Sequence, residues 1–202
     1  MIVLVRRSHI GFSLLLLLTA ACMSSLILRQ GSGRSTAALA PAQPQQPAGR
    51  IVVVDAGHGG EDGGAVAGDG TVESGLNLEI AARLNALLRL MGQNTVMTRT
   101  EDVSIYSDGA QTLHQKKVSD LENRAALVNG LADAVLISIH QNSLPSSPKT
   151  RGAQVFYNGV GYAPELAAAA QERLNQAVNG EKGKTAKRIS DSIYLTRHAQ
   201  AP

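Results

Sequence analysis

The sequence contains almost no cysteine and few aromatic residues. Cys22 is the only cysteine among its 202 residues, so a folded domain has neither a disulfide framework nor a thiolate to act as nucleophile or metal ligand. Aromatic residues make up 3% of the chain, tryptophan is absent, and the net charge is only +3. Stacking platforms and a strong basic field are therefore lacking, which argues against nucleic acid as a partner.

The amino-terminal segment has the features of an export signal. Arg6 and Arg7 precede an uncharged, mostly apolar stretch from Ile10 to Leu28. Its length fits a membrane-spanning helix, whereas Thr19-Ala20-Ala21 fits cleavage by a signal peptidase. We expect residues 1–29 to be a signal anchor or a signal peptide. We favour an uncleaved anchor whose arginines stay in the cytoplasm, with the remaining chain extracytoplasmic.

The composition changes twice along the rest of the chain. Residues 30–50 are rich in Gly, Ser, Ala, Pro and Gln and contain few side chains that form a core, which predicts a flexible linker. From Ile51 onward, apolar residues recur in patterns typical of strands and helices. We therefore expect one folded domain over residues 51–202, held outside the cytoplasm by the anchor or secreted.

Strand and helix patterns alternate through residues 51–202. The predicted strands begin at Ile51 and cover Asn94–Thr98, Ala134–Ile139 and Gly152–Tyr157, and the predicted helices cover Glu73–Met91, Leu121–Val128 and Ala163–Val178. Residues 99–117 form a polar loop without clear periodicity. This alternation predicts an α/β fold, a three-layer sandwich in which a mostly parallel mixed sheet is flanked by helices.

Two histidines follow predicted strands of this sheet. His58 lies in a glycine-rich corner after the run Ile-Val-Val-Val, and His140 ends the strand Ala134–Ile139. The carboxyl ends of parallel strands share one edge of a sheet, where ligands bind. Two imidazoles and a carboxylate are a common set of zinc ligands. Position favours Glu73 over Glu79 as the carboxylate, although an acid at a helix start also complements the helix dipole, so position alone leaves this choice open.

Several motifs together resemble a known family. They are Val-Asp-Ala-Gly-His-Gly-Gly-Glu-Asp-Gly-Gly-Ala at Val54–Ala65, Glu73 with Leu76-Asn77-Leu78 behind it, and Ser138-Ile139-His140-Gln141-Asn142. In this order they resemble the zinc-dependent N-acetylmuramoyl-L-alanine amidases. The stretch from Lys187 to Leu195 resembles the sequence of one branch of this family, the amidases that trim spore-cortex peptidoglycan.

This resemblance implies a function and a ligand set. It places the ligands of one zinc ion on His58, Glu73 and His140, with peptidoglycan as the substrate and a protein activator as a further partner. The reaction it implies is hydrolysis of the amide between N-acetylmuramic acid and the L-alanine of the stem peptide. Zinc chemistry suits such a reaction, because a Lewis acid polarises the carbonyl and lowers the pKa of a water molecule.

The general base expected from the resemblance is a glutamate in a strand that follows Ala199-Gln200-Ala201-Pro202. No glutamate follows Glu181, so we expect this base and the last strand to lie beyond Pro202. The 202 residues are interpreted as C-terminally incomplete, with zinc affinity but poor hydrolysis and a destabilised sheet. The alternatives are a catalytically silent peptidoglycan-binding protein and another zinc peptidase or deacetylase.

Other polar residues have two interpretations each. Arg99, Arg124 and Arg151 either contact a stem-peptide carboxylate or are solvated charges. Glu61 and Asp62 are the nearest substitutes for a base, but ordinary loop acids, with Asp62 supporting the turn, explain them better. Gln141 and Asn142 are expected beside the metal, and His114 and His198 on the surface.

Overall fold

The computed structural model describes residues 49–142 and 149–202, so the predicted anchor and nearly all of the predicted linker lie outside the described residues. Five strands and four α-helices follow one another in these two ranges. They are β1 (Ile51–Ala56), α1 (Glu73–Leu90), β2 (Asn94–Met97), α2 (Leu113–Asn129), β3 (Ala134–Ile139), β4 (Phe156–Tyr157), α3 (Ala163–Leu174), β5 (Lys187–Arg188) and α4 (Tyr194–His198).

The main sheet has β1 at its centre, with β2 on one side and β3 on the other. Both pairings are parallel, and Ile51 lies opposite Asn94 in β2 and Ala134 in β3. All six residues of β1 are buried, as a strand covered on both faces requires. The carboxyl ends of the three strands therefore meet at one edge, and the segment containing His58 leaves β1 there.

Helices cover both faces of this sheet. Val52, Val54 and Ala56 project to one face, where they pack with Ala81 of α1 and with Leu84 beside it. Val53 projects to the other face and packs with Val128 of α2 and with Ala199 and Ala201 near the end of the chain. The predicted α/β three-layer sandwich is confirmed, and the pairing between strands of the described part of the chain is parallel throughout.

The face of α1 that packs on the sheet is not evident from its sequence. Leu76, Ile80, Leu84 and Leu87 recur at helical spacing, but only Leu84 of these four packs against the core beneath α1, and Leu76, Ile80 and Leu87 are 38%, 42% and 59% exposed. The fully buried residues of this helix include Asn77 and Ala81. Because α1 carries leucines on both faces, its apolar period does not distinguish the face that packs on the sheet.

The second helix begins well before the predicted Leu121. Thr112 caps its amino terminus: its hydroxyl accepts from the Gln115 amide at 3.2 Å, and the Gln115 side chain accepts from the Thr112 amide at 3.0 Å. This capping box satisfies backbone donors that the first turn leaves free, so the helix forms over a polar sequence. The predicted loop 99–117 therefore ends at Thr112.

The last third of the chain differs most from the predicted elements. Of the predicted strand Gly152–Tyr157, only Phe156–Tyr157 form a strand, β4. It pairs with β5 in a parallel ladder separate from the main sheet. The predicted helix to Val178 ends as α3 at Leu174 and continues as a π-helical turn over Asn175–Asn179. No helix in residues 49–142 and 149–202 is long and apolar enough to cross a membrane.

The final residues of the chain lie beside β3. The backbone amide of Leu136 donates to the carbonyl oxygen of Pro202 at 2.9 Å. The side chain of Asn158 donates to the carbonyl oxygen of Ala201 at 3.0 Å. Pro202 is thereby held beside β3, and Ala201 beside Asn158.

Candidate metal centre

His58, Glu73 and His140 come together at the carboxyl edge of the main sheet. The Nε2 atom of His58 lies 3.5 Å from Oε1 of Glu73, and the Nδ1 atom of His140 lies 3.2 Å from the same oxygen. One ligand-type atom from each residue lies within 4.8 Å of the others. His58 follows β1, Glu73 opens α1 and His140 follows β3, so three separate elements deliver the three side chains.

The spacing and chemistry of these atoms suit zinc. Bond lengths of 2.0–2.2 Å to a tetrahedral ion place neighbouring ligand atoms about 3.3–3.6 Å apart, close to the two distances at Glu73 Oε1. Two imidazoles and one carboxylate leave a fourth position for water or substrate. His140 has 41% of its side chain exposed, so the cluster is accessible from solvent.

Glu73 is held as an ionised carboxylate. Its Oε2 accepts from the amide of Ala65 at 2.8 Å, and its Oε1 accepts from the amide of Gln141 at 2.9 Å and from the side chain of Asn77 at 3.2 Å. Burial by itself would raise the pKa of this carboxyl, but the hydrogen bonds from Ala65, Gln141 and Asn77 hold the pKa below its ordinary value. A metal ligand must be deprotonated, and these donors favour that form.

Glu79, the alternative carboxylate, lies elsewhere. It forms an ion pair with Arg83 on α1, and its side chain is 57% exposed. It does not belong to the cluster of His58, Glu73 and His140. The position of Glu73 at the first residue of α1 is what brings its carboxylate to the histidines.

Close backbone packing surrounds the two histidines. His58 has a φ of 62°, a left-handed conformation that is uncommon for a residue with a side chain. The ring of His140 lies against Gly57, where an added Cβ would be 2.2 Å from its Cε1 atom. At Gly64, a Cβ would lie 2.7 Å from both Glu73 Oε2 and His58 Cδ2. Glycine is thus required at both positions for these side chains to approach one another.

Arg124 fastens the His58 segment to the core. Its side chain is 1% exposed and donates to the carbonyl oxygens of Ala56 and His58, each at 2.8 Å. The same guanidinium pairs with Asp55 at 2.6 Å and with Asp120 at 2.7 Å. Burial would lower the pKa of Arg124, but the two carboxylates raise it, so the group remains charged. Both interpretations from sequence, a substrate contact and a solvated charge, are wrong for this residue.

Arg99 is a second buried arginine that bonds to backbone carbonyl oxygens near the cluster. Its guanidinium donates to the carbonyl oxygens of Ala56 at 2.8 Å, Gly57 at 3.1 Å and Ser74 at 2.8 Å. It is only 3% exposed, so neither interpretation from sequence holds for it either. By bonding to carbonyls on both sides of the cluster, Arg99 joins the end of β1 to the start of α1.

Glu61 and Asp62 are engaged by lysines of α2. Glu61 forms an ion pair with Lys116, and Oδ1 of Asp62 lies 2.8 Å from Nζ of Lys117. The other oxygen of Asp62 lies 3.1 Å from Nδ1 of His58. Burial would raise the pKa of Asp62, but Lys117 and His58 lower it. Both acids therefore form ion pairs with α2, which agrees with their interpretation as ordinary loop acids.

Of the remaining polar candidates, only Gln141 contacts the cluster in the part of the chain that the structure describes. Gln141 contributes its backbone amide to Glu73, whereas the Asn142 side chain is exposed. Arg151, His114 and His198 are exposed, as expected for the two histidines, and His198 stacks on Tyr194.

Sequence reasoning missed two residues that organise the site. Asp55 is 1% exposed and accepts from the hydroxyl of Thr98 at 2.7 Å as well as from Ser138 and Arg124. Asn77 is fully buried and bridges the Gly57 carbonyl oxygen and Glu73. A signal for each was present: an acid interrupts an otherwise apolar buried strand, and an asparagine follows Glu73 by one helical turn.

The fold and this cluster define an α/β protein with a candidate single-metal centre at the carboxyl edge of a parallel sheet. The family model for N-acetylmuramoyl-L-alanine amidase matches residues 52–202. The chain belongs to this family.

Relatives and solved structures agree with this assignment. The chain is 38% identical over 156 residues to the germination-specific N-acetylmuramoyl-L-alanine amidase of Bacillus subtilis, covering 76% of this chain and 64% of the relative. It is 32% identical to AmiA of Escherichia coli, covering 66% of this chain and 42% of that protein. The chain thus spans less than two thirds of the length of both relatives.

The CwlD amidase from Clostridioides difficile, solved in complex with the GerS lipoprotein, has a similar structure. It superposes with a TM-score of 0.69 at 34% identity, covering 76% of this chain and 78% of that chain. An N-acetylmuramoyl-L-alanine amidase from Clostridium difficile 630 gives a TM-score of 0.58 at 26% identity, covering 76% and 75% of the two chains.

Proposed function

We propose that this protein is a zinc-dependent N-acetylmuramoyl-L-alanine amidase that cleaves the amide between N-acetylmuramic acid and the L-alanine of the peptidoglycan stem peptide. The observation that carries this proposal is the approach of His58, Glu73 and His140 within 4.8 Å of one another in a chain of this family. We assign these three side chains as the ligands of one zinc ion.

The chemistry divides between the ion and the protein. Zinc, when bound, supplies a Lewis acid that polarises a carbonyl and lowers the pKa of water. Glu73 contributes a negative charge that is held ionised by the amides of Ala65 and Gln141. His140, on the exposed side of the cluster, leaves room for a substrate carbonyl to approach. Glu61 and Asp62 are already paired with lysines, so we assign the role of general base to neither.

We further propose that the wall substrate is spore-cortex peptidoglycan. The germination-specific amidase of Bacillus subtilis and the CwlD amidase both support this narrower assignment by their similarity to the chain. The site of action is then extracytoplasmic, with residues 1–29 as a signal anchor or signal peptide and residues 30–50 as a linker to the domain of residues 51–202. A protein partner is part of this proposal, because the CwlD amidase was solved in complex with a lipoprotein.

Digestion of purified peptidoglycan tests the activity. The full-length protein loaded with zinc is incubated with cortex and vegetative sacculi, and newly exposed L-alanine amino groups are labelled and quantified. Release of stem peptides by the wild-type protein above the level seen with the variant His140→Ala, even if slow, is the expected result. Retention on sacculi without any new amino group would indicate a catalytically silent wall-binding protein instead of an amidase. Release of acetate would indicate a deacetylase, and release of cross-bridge fragments would indicate another peptidase.

Metal analysis tests the ligand set independently of the substrate. We expect about one zinc per wild-type chain and a large loss of zinc in His58→Ala, Glu73→Ala and His140→Ala. The variant Glu79→Ala is the matched control, since this glutamate lies on the same helix and pairs with Arg83 at the surface. Full zinc occupancy in all three ligand variants would overturn the assignment.

A further inference from the structure

Two neighbouring acids of the His58 segment are matched by two neighbouring lysines of α2. Glu61 pairs with Lys116, and Asp62 pairs with Lys117. The two pairs differ in one respect: Asp62 also contacts the ring of His58, with 3.1 Å between its Oδ2 and the Nδ1 atom of the histidine. The ion pairs fix one side of the segment to α2, but only one of them reaches a side chain of the metal centre.

The contact to Asp62 gives Nδ1 of His58 a carboxylate to which it can donate a proton. A histidine that donates its Nδ1 proton to a carboxylate keeps the lone pair of Nε2 available as a ligand. In this structure Nε2 is the nitrogen that faces Glu73, at 3.5 Å from Oε1. Asp62 and the metal centre therefore lie on opposite sides of the same imidazole ring.

The backbone of this segment turns sharply at and after His58. His58 has a positive φ and is followed by Gly59 and Gly60, which have positive φ as well. The segment folds back through reciprocal hydrogen bonds between the backbones of Gly59 and Asp62, at 2.9 and 3.1 Å. This turn brings the Asp62 carboxylate to the histidine ring.

Lys117 in turn fixes the carboxylate. Its Nζ lies 2.8 Å from Oδ1 of Asp62, so the two oxygens of this side chain have separate partners, one on α2 and one on the histidine. The aspartate side chain is 22% exposed, whereas the side chain of Glu61 is 50% exposed. We call Asp62–Lys117 the inner pair, because its acid contacts His58, and Glu61–Lys116 the outer pair. The acid is better shielded in the inner pair, whereas the lysine is better shielded in the outer pair, with Lys117 45% and Lys116 23% exposed.

We propose that Asp62, held by Lys117, is a positioning residue that orients His58 and directs its Nε2 atom to the metal. This inference rests on the proposed zinc centre. Carboxylates behind ligand histidines commonly set the ring orientation and the metal affinity, and their loss weakens metal binding about 10–100-fold.

The test uses the two pairs as each other's control. Zinc affinity is measured by competition with a chromogenic chelator for the full-length wild-type protein and for Asp62→Asn, Lys117→Met, Glu61→Gln and Lys116→Met. We expect Asp62→Asn to weaken zinc binding about 10–100-fold. A smaller loss is expected in Lys117→Met, and none in the two variants of the outer pair. Urea unfolding of each metal-free variant shows whether a loss of affinity reflects loss of the fold.

A second measurement reports the protonation of the His58 ring and requires neither bound metal nor enzymatic activity. Nitrogen-15 NMR of the metal-free protein, with His58 assigned through His58→Gln, distinguishes the Nδ1-protonated from the Nε2-protonated neutral ring. We expect the Nδ1-protonated form in the wild-type protein and in Glu61→Gln, and a mixture in Asp62→Ala.

The failure of this inference is separable from the failure of the zinc centre. Wild-type protein that binds no zinc overturns both. Wild-type protein that binds zinc, with unchanged affinity in Asp62→Asn or an equal loss in Glu61→Gln, overturns only the role of Asp62. An unchanged ring tautomer in Asp62→Ala has the same meaning.

Discussion

Arg124 donates from Nη2 to the backbone carbonyl oxygen of His58 at 2.8 Å, so a residue of α2 holds the peptide that carries a candidate metal ligand. The same guanidinium bonds to Asp55 in the central strand and to Asp120 one turn earlier in its own helix. The charge network beneath the sheet edge and the position of His58 are therefore physically linked. Changes that disturb the buried charges are expected to disturb the metal centre as well.

Replacement of Arg124 by methionine tests this link. The change leaves Asp55 and Asp120 as buried carboxylates without their cation, and removal of one partner of a buried ion pair costs about 3–5 kcal/mol of unfolding free energy. Urea denaturation of the metal-free protein measures this loss. Zinc affinity, measured under conditions where the variant is folded, is expected to fall because the His58 carbonyl oxygen loses its donor.

Arg83 provides the control for Arg124→Met. It forms an i,i+4 ion pair with Glu79 on α1, and its side chain is 75% exposed. We expect Arg83→Met to change the unfolding free energy by less than about 1 kcal/mol, since exposed pairs contribute little. Equal destabilisation by the two substitutions would show that the buried network has no special role.

Removal of zinc is expected to destabilise the protein in a concentration-dependent way. A ligand that binds only the folded state adds about 4 kcal/mol at a free concentration 1,000 times its Kd. Thermal unfolding in a chelator and in a series of buffered zinc concentrations measures this shift in Tm. The variant His140→Ala should show no shift over the same series, and a zinc-dependent Tm in that variant would place the stabilising ion elsewhere.

The central part of the fold could be predicted because its signals are local and strong. β1 and β3 are short, mostly apolar strands, and a histidine follows each within two residues; in a parallel sheet adjacent carboxyl ends must share an edge. This single rule accounts for the proximity of His58 and His140. Position favoured Glu73 over Glu79 without deciding between them, and the resemblance to the amidases placed the third ligand on Glu73.

The arginines were misjudged because burial of a charge depends on partners that are distant in sequence. Arg124 bonds to Asp55, 69 residues away, and Arg99 bonds to Ala56, 43 residues away. Nothing within a turn or two of either arginine identifies these partners. The exposure of Leu76 and Leu87 on α1 has a related explanation, since the sheet covers only one of the two apolar faces of this helix.

The amino terminus of α2 offers a test of the capping box that sequence periodicity did not show. Thr112→Ala removes the acceptor for the Gln115 amide, and loss of such a cap costs about 1 kcal/mol. We expect a lower urea midpoint. Zinc affinity is expected to change less than in Lys117→Met, because the cap stabilises the first turn of α2 but does not itself contact Asp62. Thr112→Ser should retain most of the stability, since serine caps a helix equally well. A full loss in Thr112→Ser would contradict the capping role.

Gly57 offers the sharpest steric test of the metal centre. Its missing side chain makes room for the His140 ring, and a Cβ would lie 2.2 Å from Cε1 and 2.3 Å from Nε2 of that ring. Gly57→Ala is therefore expected to displace His140 and greatly weaken zinc binding, measured by chelator competition, with circular dichroism confirming that the helices persist.

Gly75→Ala on α1 is the matched control, because an added Cβ there meets nothing within 4 Å. A helical Gly→Ala change should stabilise the protein by roughly 0.5–1 kcal/mol and leave zinc affinity unchanged. Wild-type zinc affinity in Gly57→Ala would mean that His140 binds the ion from a position other than the one it occupies against Gly57, and its assignment as a ligand in this geometry would have to be withdrawn.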